Sequence, residues 1–340
     1  MVFDIKIKIK MKINFIYVLL LIAFNGCAQD KTSTNLETNN KKMELDKLHE
    51  IVEYRESKIY YDLKIYNGAC NYKILINDLP VFSMYNNARG EISVPINGKI
   101  LKSGKQSLKI ILFPFYDENK QLKEQLNTYA GLDITIREME WDKGERKFDY
   151  YPIFEYKTPR NGIESLENKP STLLVENDEK IDIYEEEVFF DAKVPYNLDG
   201  WTKSVSLKNE NIEELTKEVV DYYESLAKDF ESKNLTNIAE KYYNKEKEVA
   251  QSYFHNKKEA NTRWNIDILE KIVDSTASVR KIEKYELKFF GNGKIVALMR
   301  YPGKSPLCVV TKKQDGSSKY SVFDVFLHRP KPGVPLEMIR

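Results

Sequence analysis

The chain is 340 residues long and carries 53 Lys+Arg against 52 Asp+Glu, three His and three Cys, for a formal net charge of +1. That balance excludes a polybasic nucleic-acid binder and gives no bulk attraction to an anionic bilayer. So few cysteines also exclude a small disulfide-stapled scaffold, and none has the paired spacing of a zinc site.

The chain opens with Lys6, Lys8 and Lys10 alternating with isoleucines, ahead of a second methionine at Met11. We take residues 1–10 as a long basic leader, or as an early start preceding Met11, and exclude them from the fold. The apolar run 13–24 falls within the ~7–15 residues of a secretory signal core. As a helix it would cover only about 18 Å, short of a ~30 Å hydrocarbon layer. Gly26-Cys27 at its end resembles the lipobox of bacterial lipoproteins, with Phe24 where leucine is usual and Asn25 where a small residue is usual. The resemblance implies cleavage of residues 1–26 and lipid on the sulfur and the new amino terminus of Cys27. Ala28, where an aspartate would signal inner-membrane retention, implies the outer membrane. Acyl chains anchor at about 0.8 kcal/mol per buried CH₂. Residues 27–48 are then the lipidated cysteine and a polar tether, on the order of 25 Å r.m.s. as a coil of ~20 residues.

From 50 to 201 the apolar residues fall at every second position, as a half-buried strand requires. Tyr72, Ile74 and Ile76 do so, as do Leu108, Ile110 and Leu112; Ile111 and Phe113 predict burial on the second face too. Leu132, Ile134 and Ile136 alternate with Asp133, Thr135 and Arg137. Further strands are expected over 59–66, 91–96, 148–156 and 183–192, with turns at Asn67-Gly68, Asn97-Gly98, Ser103-Gly104 and Lys143-Gly144. Many short strands with turn residues between them predict an all-β sandwich, Ig-like or jelly-roll-like, rather than βαβ units. The stretch 72–112 is distantly similar to accessory β-sandwich and jelly-roll modules, including those attached to glycoside hydrolases. That similarity supports a fold more than carbohydrate binding. Tyr60, Tyr61, Tyr66, Tyr150 and Tyr151 offer either a sugar-stacking surface or, the reading we favour, ordinary sheet packing.

Residues 158–180 read as a long loop with Pro159, Gly162 and Pro170. Glu176, Asp178, Glu179 and Asp182 gather carboxylates without the glycine and terminal glutamate of an EF-hand, and with Glu185, Glu186 and Glu187 they read as a solvated acidic face.

Past Trp201 the period changes, marking a second domain over 205–340. Leu215, Val219, Tyr222 or Tyr223, Leu226 and Phe230 recur at helical spacing behind an Asn211 cap with Glu214 three residues on. Two more amphipathic helices are expected over 236–254 and 260–273. Strands over 284–290, 294–301, 307–313 and 319–327, turning at Asn292-Gly293, Pro302-Gly303 and Asp315-Gly316, predict a four-stranded antiparallel meander. Three helices before such a sheet make an α+β domain, loosely similar in element order to NTF2-like or cystatin-like cone folds. Pro330, Pro332 and Pro335 keep the tail extended. Cys70 and Cys308, far apart in sequence, read as two buried thiols.

Catalytic patterns do not emerge. His49, His255 and His328 lack metal-ligand spacing, and there is no nucleophile elbow, phosphate-binding glycine loop or zinc-protease helix. No cofactor is expected. Tyr285, Arg300, Tyr301, Tyr320 and Asp324 around the meander are the candidate pocket or interaction residues. The leading expectation is a non-enzymatic, membrane-anchored envelope protein that binds another macromolecule. Its organisation is similar to immunity-type lipoproteins that neutralise an envelope-delivered toxin. The alternatives are a small-molecule binder or enzyme using a pocket in 205–340, and a carbohydrate-binding accessory lipoprotein.

Overall fold

Alternation builds the first half of the protein. In β1 (Tyr60–Gly68) Tyr61, Leu63 and Ile65 point inward and are buried, while Lys64 and Tyr66 face outward. The computed structural model describes residues 45–119, 121–127, 129–142, 147–161, 172–173 and 182–340. The signal, Cys27 and most of the tether lie outside them, as do Lys143-Gly144, much of the expected 158–180 loop and Glu176, Asp178 and Glu179. After β1 come β2 (Asn71–Ile76), β3 (Leu79–Met84), β4 (Gly90–Pro95), β5 (Gly104–Phe113), β6 (Gly131–Asp142) and β7 (Lys147–Lys157). Short β8 (Arg160–Asn161) and β9 (Thr172–Leu173) pair with each other, and β10 (Tyr184–Ala192) follows.

These strands form two four-stranded antiparallel sheets, ordered β4-β1-β6-β7 and β10-β5-β2-β3. Leu63, Ile65, Leu132, Ile134 and Ile136 of the first sheet share one core with Tyr72, Ile74, Ile76, Leu108, Ile110 and Leu112 of the second. The β2–β3 hairpin turns on Asn77 and Asp78, both at positive φ, the backbone a two-residue hairpin demands. Asn97 is buried because its amide works as structure: it accepts from the Tyr61 N–H at 2.7 Å and donates to the Ile59 carbonyl at 2.8 Å.

Three helical runs follow. Helix α1 (Ile212–Glu231) starts where expected: Asn211 Oδ1 accepts from the Glu213 and Glu214 amides, and Leu215, Val219, Tyr223, Leu226 and Phe230 are its buried stripe. Helix α2 (Leu235–Ser252) buries Ile238, Tyr242 and Val249, but also Lys245 and Glu246. The third run opens earlier than the apolar stripe implied, at α3 (Lys257–Asn261). Its reciprocal capping box joins Asn256 and Glu259. It widens to a π-helix over Thr262–Leu269 and closes as α4 (Glu270–Val273).

The expected single meander is corrected. Strands β11 (Ser278–Val279), β14 (Cys308–Lys312) and β15 (Ser318–Val322) form one sheet, while β12 (Glu286–Phe290), β13 (Ile295–Met299), β16 (Phe326–His328) and β17 (Glu337–Ile339) form another. Strand β13 is buried at every position and already has β12 and β16 as neighbours, so β14 has no edge to join. The run expected over 319–327 is divided between the two sheets by Phe323–Val325 in the same way. The two hairpins built on Asn292-Gly293 and Asp315-Gly316 do form, one in each sheet. Gly291, at φ +57°, lies where an added Cβ would come within 2.8 Å of the Trp201 ring. Just before the prolines Arg329 donates to Glu210, Glu218 and the Val334 carbonyl, and past them the tail returns as β17. The described part is thus mostly sheet, in four antiparallel sheets of three or four strands and the short β8–β9 pair, with three helical runs and no barrel.

The main apolar cluster runs through both halves, and a second one joins Leu79, Leu101 and Trp201 to Ile295, Ala297, Met299, Phe326 and Ile339. Cys70 and Cys308 are buried thiols with no bridge between them.

Candidate functional site

Strand β7 ends its sheet, and it carries Phe148, Tyr150, Tyr151 and Ile153 at 38–49 % exposure within six residues. Tyr150 lies on the outer face, where its register partner Met139 pairs with Tyr60, and the Arg137 guanidinium sits 4.2 Å from its ring centroid. Tyr151 points to the opposite face, and Ile153 is the extra residue where the register shifts opposite Ile136 and Arg137. Arg137 is itself fixed by Asp62, which accepts from Nε at 2.9 Å and holds the guanidinium above its ordinary value. Pro152 offers no N–H to strand pairing at this point of the edge. Of the other tyrosines considered for stacking, Tyr61 is in the core, Tyr60 packs edge-on against Phe254, and Tyr66 is exposed on β1.

The residues expected around the meander are not brought together. Tyr285 is half-buried against the core. Arg300 and Tyr301 line a groove of about 330 Å³ against the outer face of β2 and β5, where Ile111 and Leu75 also lie. The Tyr301 and Tyr116 hydroxyls are hydrogen-bonded there, and Tyr85 meets Tyr301 edge-on at 6.4 Å. Burial, and then that hydrogen bond, push the Tyr116 phenol up. Tyr320 and Asp324 instead line a hollow of about 560 Å³ between α2, the π-helix and β15. In it the Lys245 ammonium donates to the Asp324 carbonyl at 2.7 Å, and burial holds this amine below its ordinary value. Glu246, nearly fully buried, accepts from Arg263 Nε at 2.9 Å and Nη2 at 3.1 Å.

Sequence reasoning missed a third arrangement. Ser204 Oγ lies 2.7 Å from His328 Nδ1, and His328 Nε2 lies 3.0 Å from Glu337 Oε1, beside a hollow of about 640 Å³. Burial lowers the His328 pKa, with Glu337 opposing. The order resembles nucleophile, base and orienter. However, Ser204 is buried, its amide is spent on the Trp201 carbonyl, and the Gly200 amide is spent on Glu248. Those amides are not available to a developing oxyanion, and the hydrogen bonds of the trio tie the 201–205 turn to β16 and β17. No local pattern could have signalled it, since Ser204 and His328 are 124 residues apart.

His49 contacts the Asp46 carbonyl and His255 stacks on Tyr253. Glu185 pairs with Lys109, Glu186 accepts from Tyr156 and Tyr184, and Asp182 accepts from the Ile183 amide. Among the described residues no group of three or more His, Cys, Asp or Glu is placed to hold a metal, and no helix is long and apolar enough to cross a membrane. Comparison with family models, curated proteins and solved structures returned no match to this chain.

Proposed function

We propose that this is a lipid-anchored envelope protein that captures a protein partner on the aromatic edge of β7. The observation that carries the reading is the row Phe148, Tyr150, Tyr151 and Ile153, four large side chains partly exposed along the two faces of a terminal strand, with a fixed arginine beside Tyr150. Aromatic and arginine anchors dominate protein interfaces, and about 1,600 Å² of buried surface is the usual scale. The lipobox-like Cys27 would hold that edge near the outer membrane. The two N-terminal sheets are taken as a sandwich, and α1 across the β12-β13-β16-β17 sheet as a cone-like unit. The narrower form of the proposal is neutralisation of a toxin delivered to the envelope, in keeping with the resemblance to immunity-type lipoproteins. A sugar would need open aromatic faces, and one face of Tyr150 is already covered by Arg137.

The test is affinity capture by the lipid-free protein from cells expressing its genomic neighbours. One protein at near-equal amounts is expected with the wild type, and loss of it with Tyr150→Ser plus Tyr151→Ser at unchanged circular dichroism. Equal recovery by the double variant removes the β7 edge from the proposal, and no capture by the wild type removes the partner. For the anchor, Cys27→Ser should abolish fatty-acid labelling and shift the protein from the membrane fraction.

A further inference from the structure

The hollow between α2, the π-helix and β15 holds a polar side chain that the fold leaves unsatisfied. Tyr242 is 2 % exposed, lines that hollow, and its hydroxyl has no hydrogen-bond partner among the described residues. A buried hydroxyl without a partner costs stability, and an acceptor entering the hollow would offset that cost. Beside it stands Lys245, 8 % exposed, whose ammonium has three protons and gives one to the Asp324 carbonyl at 2.7 Å. The ammonium lies 5.5 Å from the Tyr242 ring centroid, and both residues line the hollow. Arg263 lines the same wall, with Nε and Nη2 committed to Glu246. Lys271 and Lys319 at the rim leave cations ahead of the two lining carboxylates, Asp267 and Asp324. The wall that carries Arg263, Asp267 and Ile268 is the π-helix, a widened geometry that recurs at functional sites. The apolar lining is the buried Ile268 and Phe323 in the wall and the exposed Val322 and Tyr320 at the surface.

The geometry points to a binding site for a small organic carboxylate, its oxyanion accepting from the Tyr242 hydroxyl and the Lys245 ammonium and its apolar body lying against Ile268, Val322 and Tyr320. At about 560 Å³ the hollow is within the size range of small-molecule sites. This site is independent of the β7 edge, which lies in the other half of the chain.

Phenylacetate, acetate and inorganic phosphate are the probes, titrated into the full lipid-free protein by calorimetry and by tryptophan fluorescence. The Trp264 ring lies 5.9 Å from Tyr242 and reports on the site. Saturable phenylacetate binding is expected, at least tenfold tighter than acetate. Tyr242→Phe and Lys245→Met should each weaken it about tenfold or more, the scale of one lost charge-assisted or buried hydrogen bond. Tyr242→Phe is the decisive variant, since it removes only an unsatisfied hydroxyl and should leave the melting temperature of the ligand-free protein unchanged or higher. A marked drop in that temperature would show the hydroxyl to be structural and overturn the proposal. So would equal phenylacetate affinity in both variants, or no saturation at millimolar ligand. Phosphate binding without phenylacetate binding would overturn the organic class of the ligand.

Discussion

The two halves of the protein bury different chemistry. Inside the N-terminal sheets the core is Leu63, Ile65, Ile74, Ile76, Leu108, Ile110, Leu132 and Ile134, and the most buried ion pair, Asp62 with Arg137, sits on the outer face. Around the helices, Lys245, Glu246, Asp229, His328 and Arg340 are all buried, and each needs a named partner or leaves an orphaned atom. A sheet satisfies its backbone in its ladders and asks only for apolar side chains between layers. Helices packed on two small sheets meet along polar flanks as well, so charge is enclosed there. Among the described residues the first half encloses amides such as Asn71, Asn97 and Gln106 and the carboxylate of Asp62, while the second encloses several charged side chains.

Division of the chain puts that contrast to the largest test. A fragment of residues 205–340 should melt cooperatively on its own but well below the full chain. It loses the Leu79, Leu101 and Trp201 side of the second apolar cluster, and the packing of Tyr60 and Tyr196 on Phe254. A fragment that stays unfolded by circular dichroism would mean that the halves are not separable units.

Replacing Arg263 by Met leaves the Glu246 carboxylate, 3 % exposed, without its counter-ion and should lower stability in denaturant unfolding, by less than the about 3–5 kcal/mol of a fully buried pair because the Arg263 side chain is 35 % exposed. Adding Glu246→Leu should recover most of the loss, because an apolar pair can stand in for a buried ion pair. In the sheets no such rescue exists: Leu63→Ala should cost about 2–5 kcal/mol through its cavity alone. Failure of the double replacement to recover stability would remove the distinction between the two interiors.

Tyr223 sharpens the comparison at smaller scale. Its hydroxyl donates to the Val325 carbonyl at 2.6 Å and accepts from the Leu298 amide at 3.1 Å, tying α1 to the sheet beneath it. Tyr223→Phe should cost about 1–3 kcal/mol, the penalty for leaving a buried backbone group without its partner. A neutral result would mean the helix is held by apolar contact only.

The smallest effect is on acid stability. Burial holds His255 and His328 below the ordinary imidazole value, so in the folded protein both favour the neutral form. The unfolded chain takes up protons near pH 6.5 while the folded chain does not. Their contribution is therefore complete above about pH 6.5 and is lost as pH falls from there through the folded values. His328→Gln should flatten part of that fall in melting temperature between about pH 6.5 and 5, and an unchanged slope would assign it to other groups.

Much of the architecture was legible because it rests on short-range rules. The alternation at Tyr72–Ile76 marked β2, the Asn211 cap marked the start of α1, and Asn292-Gly293 and Asp315-Gly316 marked hairpins that form. The meander was misread because hairpin residues say which strands turn back, not which sheet a hairpin joins. That was settled by β13, buried throughout and flanked by β12 and β16. The candidate sites were less legible still. Tyr320 and Asp324 were singled out and do line a hollow, but Lys245 and Arg263, on helices rich in charge, stand out from their neighbours by no local pattern.

What the sequence by itself determined is the kind of most of the longer elements, since alternation, helical spacing, caps and turn residues act over a few residues; β3, β11, β17 and the π-helix were not among them. Its lipobox-like opening also set the expectation of an anchored envelope protein. Only the tertiary structure decided that β7 lies at a sheet edge, so that Tyr150 and Tyr151 stay exposed. It likewise decided that Lys245 is enclosed, and that Ser204 meets His328. Exposure, desolvation and long-range pairing are properties of what packs alongside, and residues brought together across more than a hundred positions of chain leave no local pattern to read.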